Sequence, residues 1–186
     1  MSFFRITNDF ENYWSFNISN VELFSKMPTY DPRFKAQSRL SDWVQPDAEF
    51  YPSENYSGNS DAPKIPDITT WLYGNLILNE KAFQCLENDL APYGEFLPVN
   101  CEGKRYFAFN TLYLIDDNAI NQELSEQDIQ DGIYMGVKKL GFIESAISSS
   151  IFKTSFDRTL YSYCSNKFIK KVQGSNLQGL IFLPTE

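Results

Sequence analysis

The stretch that most limits the possible folds is 79–109, where a capped helix gives way at a proline to two strands. Asn79 suits a helix N-cap, Glu80 complements the positive end of the helix, and Pro92 stops it, so a helix is predicted over Glu80 to Ala91. Phe83, Leu86 and Leu90 recur at helical spacing and give that helix one buried face. Glu95 to Cys101 and Arg105 to Phe109 read as strands. Glu102-Gly103-Lys104 supplies a tight turn between them, so the two form a hairpin.

The rest of the chain reads around that block. Phe3 to Thr7 is a predicted strand, and Val21 to Phe24 is a second strand or a short helix. Residues 41–66 carry Pro46, Pro52, Pro63, Pro66 and Gly58, and form an irregular, loop-rich segment in which only Ala48 to Tyr51 suits a strand. Thr111 to Ile115 is another strand. Residues 116–131 are polar and acidic and read as a loop with a short helix. Ile133 to Val137, Phe142 to Ile143, Ile151 to Phe156 and Leu180 to Leu183 suit strands, and a second helix runs from Asn166 to Gln173 between Ser165 and Gly174. The expected architecture is α+β in a single domain over 1–186: a mainly antiparallel sheet with a few packed helices.

Two segments echo each other. Lys81 precedes Phe96-Leu97-Pro98 by the same distance that Lys167 precedes Phe182-Leu183-Pro184, with Phe83 matching Ile169 and Leu86 matching Val172. A reused helix–strand unit gives this spacing, and so does chance for so few identities.

Charge is unevenly spread. Of the net −8, residues 1–137 carry 9 Lys/Arg against 21 Asp/Glu, a net of −12, and residues 138–186 carry 7 against 3, a net of +4. An acidic surface repels phosphate backbones and speeds encounter with basic proteins, so direct nucleic-acid binding is not expected. No apolar run is long enough to span a bilayer and no leader pattern opens the sequence, so the expected location is the cytoplasm, without membrane association.

Chemistry-bearing patterns are few. There is no histidine, which removes His-based triads, His metal sites and the usual acid–base group near neutral pH. Cys85, Cys101 and Cys164 form neither a disulfide framework nor a zinc pattern. Cys164 precedes a predicted helix N-terminus, a position that can favour a thiolate, but with Tyr163 beside it the structural reading is preferred. Gly136 to Gly141 has the glycine spacing of a phosphate loop without its lysine and hydroxyl residues, and reads as a turn. Asp116-Asp117 reads as a solvated turn rather than a catalytic acid pair. No catalytic residue, metal or cofactor is expected, and the chain is read as a binding protein and not an enzyme.

The strongest local anomaly is a pair of stretches without a basic residue. One, between Arg39 and Lys64, holds Asp42, Asp47, Glu49, Glu54 and Asp61 with Trp43, Tyr51 and Tyr56 interleaved. The other, between Arg105 and Lys138, holds Asp116, Asp117, Glu123, Glu126, Asp128 and Asp131. Aromatic anchors among carboxylates suit docking onto a basic protein surface. The candidate binding residues are Trp43, Glu49, Tyr51, Glu54, Tyr56, Asp116, Asp117, Glu123, Glu126, Asp128 and Asp131. On composition alone, two solvated loops explain them slightly better.

A family likeness tips that balance. It is carried by Asn12-Tyr13-Trp14-Ser15-Phe16, Asp42-Trp43, Glu49-Phe50-Tyr51-Pro52 and Pro66-Asp67-Ile68, then by Leu76 to Phe83 and Leu90-Ala91-Pro92-Tyr93-Gly94-Glu95-Phe96-Leu97-Pro98-Val99. Cys101-Glu102-Gly103, Tyr106-Phe107-Ala108-Phe109-Asn110, Ser150-Ile151-Phe152 and Asn176-Leu177-Gln178-Gly179-Leu180 complete it. In these pieces the chain resembles the bacterial immunity proteins of polymorphic toxin systems, the family numbered eleven and formerly a domain of unknown function. The central block 76–110 is its most specific part and 112–148 its least typical. The resemblance implies an antidote that binds and neutralises a cognate effector toxin delivered by contact-dependent or type VI secretion, whose basic active-site cleft an acidic surface would cover. An adaptor on the same scaffold, or an enzyme reversing a toxin-made modification, stays open as an alternative.

Overall fold

The helix and hairpin expected over 79–109 form, and the other elements are arranged about them. The structure, a computed structural model, describes residues 2–29, 31–59 and 62–185. In chain order its elements are β1 (Phe3–Asn8), β2 (Ser15–Asn17), α1 (Asn20–Lys26), β3 (Asp47–Tyr51), β4 (Ile68–Trp71), β5 (Asn75–Asn79), α2 (Glu80–Leu90), β6 (Gly94–Cys101), β7 (Lys104–Thr111), β8 (Leu114–Ile115), β9 (Ile120–Gln130), β10 (Ile133–Phe142), β11 (Ile151–Thr154), β12 (Tyr163–Ser165), α3 (Asn166–Gly174) and β13 (Leu180–Pro184). This is one mixed α+β domain dominated by antiparallel pairing, as expected.

The local chemistry explains the central unit. Asn79 accepts from the backbone N–H of Ala82 through its side-chain oxygen and caps α2. Ala82, Leu86 and Leu90 bury one stripe of the helix, and Phe83 stacks on Phe107 of β7 at 3.8 Å between ring centres. The β6–β7 turn is Glu102-Gly103, both in the left-handed region, the conformation that lets a two-residue loop follow the strand twist. Val21 to Phe24 resolves as a helix, with Ser19 capping it.

The strands build a six-stranded sheet ordered β2-β3-β6-β7-β5-β4, a five-stranded sheet ordered β13-β1-β12-β11-β8, and a separate β9–β10 ribbon. Among the described residues of the larger sheets, only β3–β6 and β8–β11 pair in parallel. Alternation along β5 to β7 divides the core. Leu76, Leu78 and Phe109 face α2 and α3, while Ile77, Leu97 and Ala108 face a second core with Phe16, Leu23, Phe34 and Phe50. A third core, including Phe3, Phe142, Phe152 and Tyr163, seats the base of the ribbon on the five-stranded sheet.

The sequence echo has a structural counterpart that exceeds it. The antiparallel pair β4–β5, then α2, then β6 returning beyond β7, gives the order β4-β5-β7-β6. The antiparallel pair β11–β12, then α3, then β13 returning beyond β1, gives the order β11-β12-β1-β13. The two units share strand order and direction. They differ in the source of the inserted strand, which is β7 by a hairpin in one and the start of the chain in the other. Lys171 of α3 pairs with Asp89 of α2 at 2.9 Å.

Two expectations are corrected. Residues 116–131 are not a loop with a short helix: beyond one 3-10 turn at Asp117–Ala119 they form β9. Gly136 to Gly141 is not a turn but part of β10. Both corrections have one cause. A two-stranded ribbon whose faces are solvated beyond its base needs no apolar alternation, so β9 and the middle of β10 look like loop in the sequence, while Ile133 to Val137 reads as the strand it is.

Candidate functional site

The ribbon brings the second acidic stretch together. Its tip, Asp131-Gly132, is left-handed at both residues and joins Gln130 to Ile133 by a two-residue loop. Ile120, Leu140 and Phe142 bury the base, and Gln127 and Tyr134 tether one side: the Gln127 amide donates to the carbonyl of Phe156 at 2.6 Å, and the Arg158 guanidinium lies 4.2 Å from the Tyr134 ring centre. Register shifts between Tyr134 and Gly136, Val137 and Lys139, and Lys139 and Gly141 bulge β10 and twist it, which discourages indiscriminate edge pairing. Beyond the base the ribbon exposes Leu124, Ile129, Ile133 and Met135, the last two by 64% and 59%. Glu123, Glu126 and Asp131 are exposed around them and Asp128 is half-buried. Ile133 and Met135 share one face, and Ile129, which pairs with Tyr134, lies on the other. Exposed apolar side chains beside carboxylates are the form of a protein-docking surface.

The acids are not equivalent. Glu126 pairs with Lys138 across the ribbon at 2.8 Å, which lowers the carboxyl pKa and cancels much of its field. Asp117, at the foot of the ribbon, accepts the Ser155 hydroxyl. Asp116 and Glu123 carry exposed charge with no ion pair among the described residues. The basic lysines that end the tract thus fold back beside it, which the linear charge pattern hides.

The first acidic stretch lies elsewhere, against a different core. Glu49 and Tyr51 are exposed on β3, Glu54 is exposed beyond it, and Tyr56 is half-buried. Trp43 is not a free anchor: its indole N–H donates to the Pro98 carbonyl at 2.9 Å and its ring meets Phe34 edge-on, so it fastens the 39–46 segment to the sheet. Asp42 and Asp47 are engaged by Arg39 and Lys26. Asp61 lies outside the described residues.

The cysteines gather no alternative chemistry among the described residues. Cys164 is fully buried, and burial pushes its thiol far above the ordinary range, so its place before α3 confers no reactivity. Cys101 is buried as well, with its thiol pushed up to about 11. Among the described residues no three Cys, Asp or Glu side chains form a metal-holding group, and no helix is long and apolar enough to cross a membrane.

Sequence reasoning missed two buried ionisable residues, each held by hydrogen bonds to neutral groups. Lys153 of β11 and Asp157 in the loop after it are both fully buried. The Lys153 ammonium donates to the carbonyls of Tyr73 at 2.5 Å and Thr159 at 3.3 Å. Asp157 accepts from the Tyr163 hydroxyl at 2.8 Å and the Tyr161 N–H at 3.2 Å. Burial lowers the lysine to about 8 and raises the carboxyl to about 6. Because Tyr73 lies in the β4–β5 turn, this network joins the two large sheets. Its role is architectural, and only the mixed polar-apolar pattern of 151–157 hinted at it.

The chain matches no protein-family model and no curated protein.

Proposed function

We propose that this protein is an immunity protein that binds a secreted effector toxin and neutralises it by direct contact, with the β9–β10 ribbon as its main docking element. The observation that carries the reading is the ribbon itself. It leaves Leu124, Ile129, Ile133 and Met135 uncovered among Glu123, Asp128 and Asp131, an arrangement that costs solubility unless a partner covers it. Exposed carboxylates on Asp116 and Glu123 favour a toxin with a basic surface, such as the cleft of a nucleic-acid-cleaving enzyme.

The likeness to the immunity family supports the same reading from a different direction. Its most specific block, 76–110, builds the centre of the six-stranded sheet, while the ribbon falls within 112–148, the least family-like part. A shared scaffold carrying a divergent recognition element is the division expected of antidotes that must each match a different toxin. Antidotes of this kind act in the cytoplasm of the cell they protect.

The product of the neighbouring gene is the first candidate toxin. The two proteins should co-elute as a stoichiometric complex, and the antidote should restore growth to cells making the toxin. A doubly substituted ribbon, Ile133→Ser with Met135→Ser, should fold and lose both properties. Protection at substoichiometric dose without a complex would sink the binding reading in favour of an enzyme, and a neighbour with no toxic activity would favour an adaptor.

A further inference from the structure

Between the base of the ribbon and the five-stranded sheet lies a cavity of about 270 Å³. Arg5 of β1, Lys138 and Lys139 of β10, Tyr161 and Thr185 contribute to its wall, and among the described residues no carboxylate does. That is a reversal of sign in a chain of net charge −8. From this cavity we infer that the protein has a binding site for a small dianionic oxyanion, inorganic phosphate or a small phosphate ester. The site stands apart from the toxin-binding reading and does not depend on it.

Arg5 is held in place for the task. β1 is paired on both sides, with Arg5 opposite Tyr163 of β12 and Leu183 of β13. Its guanidinium lies 4.6 Å from the centre of the Tyr161 ring. A cation–π contact fixes the group without consuming its N–H donors, and no hydrogen bond or ion pair engages them among the described residues. A fixed guanidinium with unmet donors presents the fork that takes two oxygens of one anion. Lys139 also has no ion pair among the described residues, but it lies opposite Glu126 in the ribbon register and acts on its carboxyl, while Lys138 pairs with Glu126 directly. Three cations against that one carboxylate leave a positive excess that matches two negative charges better than one. The nearby buried carboxylate, Asp157, is bonded to the Tyr163 hydroxyl and is not part of the wall. The volume lies just below the ~300–1,000 Å³ of pockets that enclose drug-sized ligands, and it has room for a phosphate or a small ester of it.

Calorimetric titration of the full chain with inorganic phosphate at low ionic strength tests this. Saturable binding at one site is expected, with acetate at least about tenfold weaker. Arg5→Gln and Lys139→Gln should each weaken phosphate at least about tenfold, the loss expected when a charge-assisted contact is removed. Lys170→Gln on the exposed side of α3 should leave it unchanged. Lys139 is exposed, so its variant reports even if Arg5→Gln disturbs β1. Absence of saturable binding, native affinity in both variants, or acetate binding as tightly as phosphate would each overturn the assignment.

Discussion

Asn110 donates its side-chain amide to Glu95 at 2.9 Å, directly across the β6–β7 register, and both residues are buried. Glu95 also accepts from the backbone N–H of Arg39 and the hydroxyl of Ser38, each at 2.6 Å, and Asn110 also donates to the Gln37 carbonyl at 2.8 Å. The pair therefore holds the 37–39 segment onto the sheet. Glu95→Gln replaces an acceptor of three donors with a group that is half donor. It should lower the urea midpoint by an amount equivalent to about 1–3 kcal/mol, with an unchanged slope. Asn110→Asp, which sets a second carboxylate against the first, should cost more.

The inter-sheet network gives stability a pH signature. Lys153 is lowered from 10.5 to about 8 in the folded protein. Below pH 8 it is protonated folded and unfolded alike. Between about 8 and 10.5 the unfolded chain binds more protons, so this group makes stability rise with pH across that interval. Asp157 is raised from 3.8 to about 6, so the folded protein binds more protons between those values, and its contribution falls as pH rises through them. Denaturant midpoints measured from pH 4 to 10 should lose the alkaline rise in Lys153→Met and the acidic fall in Asp157→Asn. Persistence of either in its variant would show that another group causes it.

Two glycines in left-handed conformation separate close approach from conformation alone. Gly74, at φ +72, lies in the β4–β5 turn, where an added Cβ would meet the backbone nitrogen of Ser162 at 2.5 Å. Gly132, at φ +78, sits at the ribbon tip with nothing within 4 Å of such a Cβ. Gly132→Ala should cost on the order of 1 kcal/mol, the conformational term. Gly74→Ala adds a clash between the two sheets and should lower the thermal midpoint further. Equal losses would mean that the sheets separate freely at this seam.

What the sequence makes legible follows from burial. The helix over 80–90 reads clearly because one face is apolar and both ends carry their signals, Asn79 and Pro92. The β6–β7 hairpin reads clearly because its turn residues are specific. β5 does not separate from α2 by pattern, because Leu76, Ile77 and Leu78 are buried on both faces and merge with the helix that follows. β9 fails for the opposite reason, since little of it is buried. The acidic stretches read correctly as charge, but the pairing of Glu126 with Lys138 and the packing of Trp43 against the core depend on contacts distant in sequence. The cavity around Arg5 and Lys139 joins the first strand to the tenth, a relationship no local window contains.

The ribbon offers separate control of encounter and of holding. Replacing Asp116, Asp117, Glu123 and Glu126 together with their amides removes four formal charges, and at Glu126 it also leaves the Lys138 ammonium without its partner. All four substitutions should therefore contribute to the loss in long-range attraction to a basic surface. Stopped-flow mixing with the toxin should show slower association, a shallower dependence on salt and a nearly unchanged dissociation rate. The Ile133→Ser, Met135→Ser variant should do the reverse, because apolar contacts act after encounter: dissociation should accelerate while association stays within a few-fold of the native rate. Since neither residue packs in the core, the unfolding midpoint should not move. Unchanged kinetics in both variants would remove the ribbon from the interface and leave β3, with Glu49 and Tyr51, as the surface to examine.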